Sequence, residues 1–168
     1  NEKVYILDKS LDMIQVFNSD GIFLYSIDLK TIDINAKFSD ILNDEDGNIY
    51  VLSNNIKKIY VMDSNGKFKN SFDIKDSISP SSFAYDGIKY IFILDDEKSS
   101  IYVLDKQGVF ISSFFAKGNS SREFMNPAKI RYNDGRIYIS DSSLSKISSF
   151  KVSYYPDVKD LKVNNDNG

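Results

Sequence analysis

The chain has 168 residues, 42% of them hydrophobic and 27% charged, and its 21 basic and 24 acidic side chains leave a formal charge of −3. That is length enough for one ordinary domain with a core, in a composition neither disordered nor collagenous. Cysteine and histidine are both absent, which excludes a disulfide framework, a thiolate nucleophile, Cys-ligated zinc, and the commonest general base and transition-metal ligand.

Only 4 Ala stand against 21 Ile and 24 Ser, a balance that disfavours helix and favours strand. No apolar run reaches the roughly 18 residues that span a bilayer, so no membrane insertion is expected. The chain opens on Asn1 without a leader pattern, as expected of a processed chain or a piece of a longer one.

In chain order, one pattern recurs four times. Val4-Tyr5-Ile6-Leu7-Asp8 is followed by Ile14-Gln15-Val16-Phe17, and Ile49-Tyr50-Val51-Leu52-Ser53 by Ile59-Tyr60-Val61-Met62. Ile91-Phe92-Ile93-Leu94-Asp95 precedes Ile101-Tyr102-Val103-Leu104, and Ile137-Tyr138-Ile139-Ser140-Asp141 precedes Ile147-Ser148-Ser149-Phe150. The residue ending each first run falls at 8, 53, 95 and 141, and an Ile follows six positions later every time. Six glycines form two matching series, Gly47, Gly87 and Gly135, then Gly21, Gly66 and Gly108. Each follows a turn-type residue between β-rich runs, the signature of tight hairpins.

A full unit therefore reads as four antiparallel strands, near 38–43, 48–53, 58–63 and 67–72 in the second unit. Lys67-Phe68-Lys69-Asn70-Ser71-Phe72 alternates, as an exposed edge strand should. Units of about 40–45 residues packed face to face are the blades of a β-propeller, an all-β fold. The expected blades are a partial first at 3–28, then 37–73, 82–115 and 127–163, with a polar tail at 164–168. Ile6, Val51, Ile93 and Ile139 are expected between sheets. The first unit starts at its second strand, and six blades would need about 260 residues. Further blades are expected from the same longer chain or from another chain.

The stretch Phe124 to Asp141, with Pro127, Asp134-Gly135 and Ile137-Tyr138-Ile139 in order, resembles an NHL repeat. Phe115-Ala116-Lys117-Gly118 followed by Glu123-Phe124 is similar to the link between blades of bacterial six-bladed NHL-like propellers. The resemblance runs from Val4 to about Val152 and implies part of a six-bladed ring. It departs where the family carries Arg before the third strand, since Met13, Lys58, Ser100 and Lys146 stand there. The Pro before the first strand is kept only at Pro127, with Pro80 displaced.

Asp8, Asp95 and Asp141 end strands just before turns, where a carboxylate accepts backbone N–H groups; Ser53 takes that place in the second unit. Asn43 to Asn48 has the flavour of a calcium loop, yet Leu42 occupies the first ligand position and no bidentate Glu follows, so it reads as a hairpin. The basic residues Lys57, Lys58, Lys67 and Lys69 read as a solvated edge, and with an isoelectric point near 5.0 no nucleic acid is expected. All three arginines, Arg122, Arg131 and Arg136, lie within 15 residues of one another, and Arg favours carboxylate and phosphate recognition at interfaces. They are the candidate binding residues. No catalytic constellation, metal site or cofactor motif is read.

The function expected is a non-catalytic interaction or scaffold module that binds another protein or a surface polymer. A calcium-dependent lactonase-like or lyase-like propeller is the alternative, and an RNA-binding NHL domain is disfavoured by charge. The resemblance to bacterial envelope and secreted proteins implies an extracytoplasmic location.

Overall fold

The computed structural model describes residues 3–120 and 123–153, and the backbone alone of 162–165. Apart from one 3-10 turn its elements are strands, gathered into two compact units, Asn1–Asp73 and Ile74–Gly168.

In the first unit, β1 (Lys3–Asp8), β2 (Met13–Asn18) and β3 (Phe23–Asp28) form a three-stranded antiparallel sheet in sequence order. A 3-10 turn at Leu29–Thr31 follows, capped by the Asp28 carboxylate, which accepts the Lys30 N–H. Then β4 (Phe38–Asn43), β5 (Ile49–Ser53), β6 (Lys58–Met62) and β7 (Phe68–Asp73) make a four-stranded antiparallel sheet. Tyr5, Leu7, Ile14 and Val16 of the first sheet pack with Ile49, Val51, Tyr60 and Met62 of the second. The choice of residues follows from the two-residue period of a strand, which sends alternate side chains to opposite faces. The linking segment is fixed by Tyr60, whose hydroxyl donates to Asp33 Oδ2 at 2.6 Å.

The same alternation sends Val4 and Ile6 to the other face of the first sheet, where each is 48% exposed. Ile6 is therefore not buried between sheets, unlike Val51, Ile93 and Ile139, all at 0%. Its counterpart Val51 packs against the preceding sheet of the unit, whereas no described sheet of this unit covers the face that holds Ile6.

In the second unit, β8 (Pro80–Tyr85), β9 (Tyr90–Asp95), β10 (Ser100–Asp105) and β11 (Phe110–Phe114) form one antiparallel sheet. The short β12 (Ala116–Lys117) and β13 (Glu123–Phe124) pair in parallel. Finally β14 (Pro127–Asn133), β15 (Arg136–Asp141), β16 (Lys146–Ser153) and β17 (Lys162–Asn165) form the other four-stranded sheet. Phe92, Leu94, Ile101 and Val103 of one sheet meet Ile130, Ile137, Ile139 and Phe150 of the other. Phe115 packs on Phe124 and Phe150, ring centres 5.3 and 4.6 Å away. These contacts offset its left-handed backbone at φ +71°.

Ladder registers correct two expected boundaries and one alignment. Phe38, Pro80 and Pro127 pair with Ser53, Asp95 and Asp141, and a bulge follows each. Pro80 is thus the equivalent of Pro127 rather than displaced, and its sheet begins two residues before the expected 82. The bulge hides the match by adding one residue to the strand. At the other end β17 takes in Asn164 and Asn165, so the sheet continues past 163 into the segment read as polar tail, pairing Asn164 with Lys151.

One backbone feature recurs at the turn before every third strand. Asp12, Lys57, Ser99 and Ser145 each adopt positive φ, between +48° and +56°. Non-glycine residues there cost about 1 kcal/mol. Ser99 is fully buried, and its hydroxyl has no partner among the described residues. Ser99→Gly relieves the left-handed strain and removes an unsatisfied hydroxyl, against the larger chain entropy of glycine in the unfolded state. The net expectation is stabilisation by about 1 kcal/mol, read from a raised denaturation midpoint at unchanged slope.

Candidate functional site

The acids that end the second strands hold the sheets to their incoming chain. Asp141 accepts N–H groups from Ser143 and Leu144 in its own turn at 3.0 and 3.1 Å. It also accepts those of Met125 at 2.7 Å and Asn126 at 3.3 Å, just ahead of β14. Asp95 repeats the arrangement, with Lys98 N–H at 2.9 Å in the turn and Ser79 N–H at 3.2 Å ahead of β8. In the second sheet the acceptor moves two residues on. Asn55 Oδ1 takes the Lys37 N–H at 2.7 Å and the Ser53 hydroxyl at 2.9 Å. Asp8 serves its own turn, accepting from Ser10 and Leu11. Burial works against charge on Asp141, but its four backbone donors prevail and hold its pKa below the ordinary 3.8. The Ser10 hydroxyl lowers that of Asp8 in the same sense.

The loop that resembled a calcium site is a hairpin whose carboxylate is engaged by protein. Asp44 accepts the Asn48 N–H and side-chain amide, each at 2.8 Å, and the Tyr50 hydroxyl at 3.0 Å. Among the described residues no group of three or more acids is placed to hold a metal ion. Gly21, Gly47, Gly66, Gly87, Gly108 and Gly135 all have positive φ. At Gly66 a Cβ would also strike Ile27 Cγ2, so this turn has no room for another residue.

Of the candidate arginines, Arg122 lies outside the described residues. Arg131 and Arg136 share one face of the sheet β14–β17. Opposite Arg131 in the ladder stands Tyr138, and Arg136 stands opposite Asn133 and Lys151. The Arg131 guanidinium turns along the edge strand, with one nitrogen donating to the Ile130 carbonyl at 2.8 Å, Ser82 Oγ at 3.3 Å and the Phe83 carbonyl at 3.4 Å. Arg136 donates to Ser149 Oγ at 2.9 Å. Register adds Lys129, opposite Ser140, and Lys151 to the same face. Sequence reasoning missed both lysines, although a signal was present. Ser140 aligns with Leu7, Leu52 and Leu94, and Ser149 with Val16, Val61 and Val103. The fourth unit thus loses the apolar residues that its counterparts carry on this face.

Repeated four-stranded antiparallel sheets, each tied by a strand-end acceptor, define a β-propeller. Residues 79–166 match the family DUF5128, described as a 6-bladed beta-propeller, and the chain belongs to it. No curated protein matches the chain in sequence. Among solved structures it is similar to a Bacteroides fragilis protein described as exported, with TM-score 0.68 and 14% identity over 98% of this chain and 47% of the other. It is also similar to a streptogramin B lyase, TM-score 0.64 and 17% identity over 96% and 50%. The WD40 repeats of RRP9 match with TM-score 0.63 and 11% identity over 96% and 47%. The chain spans about half the length of these structures, and at such identities they share its fold alone.

Because the Asp141 pKa is depressed by folding, the stability it adds is complete above its unfolded value. That stability is lost as pH falls through the folded one. Asp141→Asn keeps one acceptor but loses the charge, at an expected cost of about 1–3 kcal/mol at neutral pH. Below pH 3.8 the variant should lose less stability than the parent with each further step of acidification, measured by denaturant unfolding across a pH series.

Proposed function

We propose that this chain is part of an NHL-type six-bladed propeller that acts outside the cytoplasm as a non-catalytic interaction module for a protein partner. The observation that carries this reading is that the recurring strand-end acids, which a catalytic reading would recruit, are engaged by backbone N–H groups. Support for the location is the likeness to a protein described as exported, beside the resemblance to bacterial envelope propellers.

The alternative, a calcium-dependent lactonase-like or lyase-like enzyme, shares its fold with the streptogramin B lyase structure. Melting in calcium and in EDTA separates the two. An interaction module should melt at the same temperature in both, whereas a calcium enzyme gains several degrees through linkage.

The missing blades are part of the same proposal. A three-stranded first sheet and coverage of half of each similar structure support a ring completed by further blades from this protein or another chain. Residues 1–168 alone should self-associate in sedimentation measurements through the face holding Val4, Ile6 and Phe23. A monodisperse, cooperatively unfolding monomer overturns this part of the reading.

A further inference from the structure

Resting on the reading of a ring completed by further blades, we propose that the sheet β14–β17 meets the blade after it through carboxylates. Within each unit one sheet packs on the next through hydrocarbon. In the second, Phe92, Leu94, Ile101 and Val103 meet Ile130, Ile137, Ile139 and Phe150. The face of β14–β16 that a following blade covers departs from this rule. Ser140 stands where Leu52 and Leu94 are fully buried, and Ser149 where Val16 and Val103 are. These exchanges remove apolar area on which a neighbour could settle, so the seam needs another source of attraction.

The polar groups on this face set the sign of that attraction. Between β8 and β14 the Ser82 hydroxyl oxygen accepts the Ile130 N–H at 3.3 Å. Register puts Lys129 at the equivalent place in the last sheet, since Ser82 stands opposite Leu94 and Lys129 opposite Ser140. A hydroxyl donates and accepts, whereas an ammonium only donates. A strand lying beyond Lys129 must therefore bring an acceptor where β14 brings an N–H. The same exchange occurs at the far end of the ladder. Lys151 occupies the position of Asn18 and Asp105, both acceptors of backbone N–H groups, and is exposed beside its cross-strand neighbour Arg136. Arg131 turns back to β8 and takes no part. Cations enclosed in a seam are costly without counter-charge, and carboxylates on the facing blade supply both charge and acceptors.

The test compares thermal unfolding of the complete protein with that of residues 1–168. Ser140→Leu with Ser149→Val restores the apolar residues of the other sheets. In the complete protein it should lower the melting temperature by several degrees, because the new side chains strip water from the facing carboxylates. In residues 1–168, which hold no later blade, it should change the melting temperature by no more than about two degrees, showing that the sheet itself tolerates the exchange. Lys151→Met should also lower the melting temperature of the complete protein, and Lys151→Glu should lower it further. These single variants decide the matter if the double variant fails to fold. A rise with Ser140→Leu and Ser149→Val, or with Lys151→Met, means an apolar neighbour and overturns the proposal, as does no change in either. If residues 1–168 are a monodisperse, cooperatively unfolding monomer, the ring reading falls and the seam with it. If the ring stands while the apolar variant stabilises it, the carboxylates alone fall.

Discussion

Each of the three four-stranded sheets is tied to its incoming chain by one acceptor side chain, and much of the rest is arranged around it. A chain that leaves one sheet and enters the next must bring backbone N–H groups past an apolar interface, where an unpaired donor costs more than a hydrogen bond returns. Asp95 and Asp141 meet that demand from the end of the second strand, one carboxylate serving both the turn behind it and the incoming segment ahead. The negative charge suits the task, because bonds to an ionised acceptor are the stronger kind. In the second sheet Asn55 reaches the same N–H position from the turn, and Ser53 donates to it. A neutral pair can therefore replace the acid where both groups are positioned by the same turn.

With the hairpins tied this way, the bulges acquire a purpose. Each edge strand β4, β8 and β14 takes an extra residue directly after the partner of the strand-end acceptor. The insertion turns the strand without breaking the alternation that keeps its later residues on the packing face. Two of the inserted residues are serines, Ser39 and Ser81, whose hydroxyls donate to the carbonyls of Leu52 and Leu94 at 3.4 and 3.3 Å. The third is Ala128, which has no such donor.

The repeat, its strands and its glycine turns are legible in the sequence because each rests on a short-range pattern: period-two apolarity, and residues that tolerate positive φ. What stays hidden is whatever has no residue-type signature. The left-handed positions before the third strands are filled by Asp12, Lys57, Ser99 and Ser145, among which glycine never appears. Asn18, Asp63 and Asp105, three residues ahead of their glycines, accept the N–H groups that shape those hairpins. The eye goes instead to Asp20, Asn65 and Gln107, which directly precede the glycine. Pro80 is visible but misread, since spacing alone does not reveal a bulge. At the candidate site, the arginine cluster points to the right sheet, yet Lys129 and Lys151 join it only through register. Their lysines sit on different strands, and cross-strand neighbours leave no trace in local spacing.

The fourth sheet departs from the others on one face only. Replacing an apolar pair by Ser140 and Ser149 between two packed sheets would bury hydroxyls and lose side-chain volume, a severe penalty in a close-packed core. On a face that no sheet of its own unit covers, the same replacements cost little. The opposite face keeps Ile137, Ile139 and Phe150 fully buried, so the sheet needs nothing more from its outer side to hold its place. In a six-bladed ring that outer side meets the following blade, so Arg136, which donates to Ser149 Oγ, and its cross-strand neighbour Lys151 require polar or acidic groups from whatever packs there.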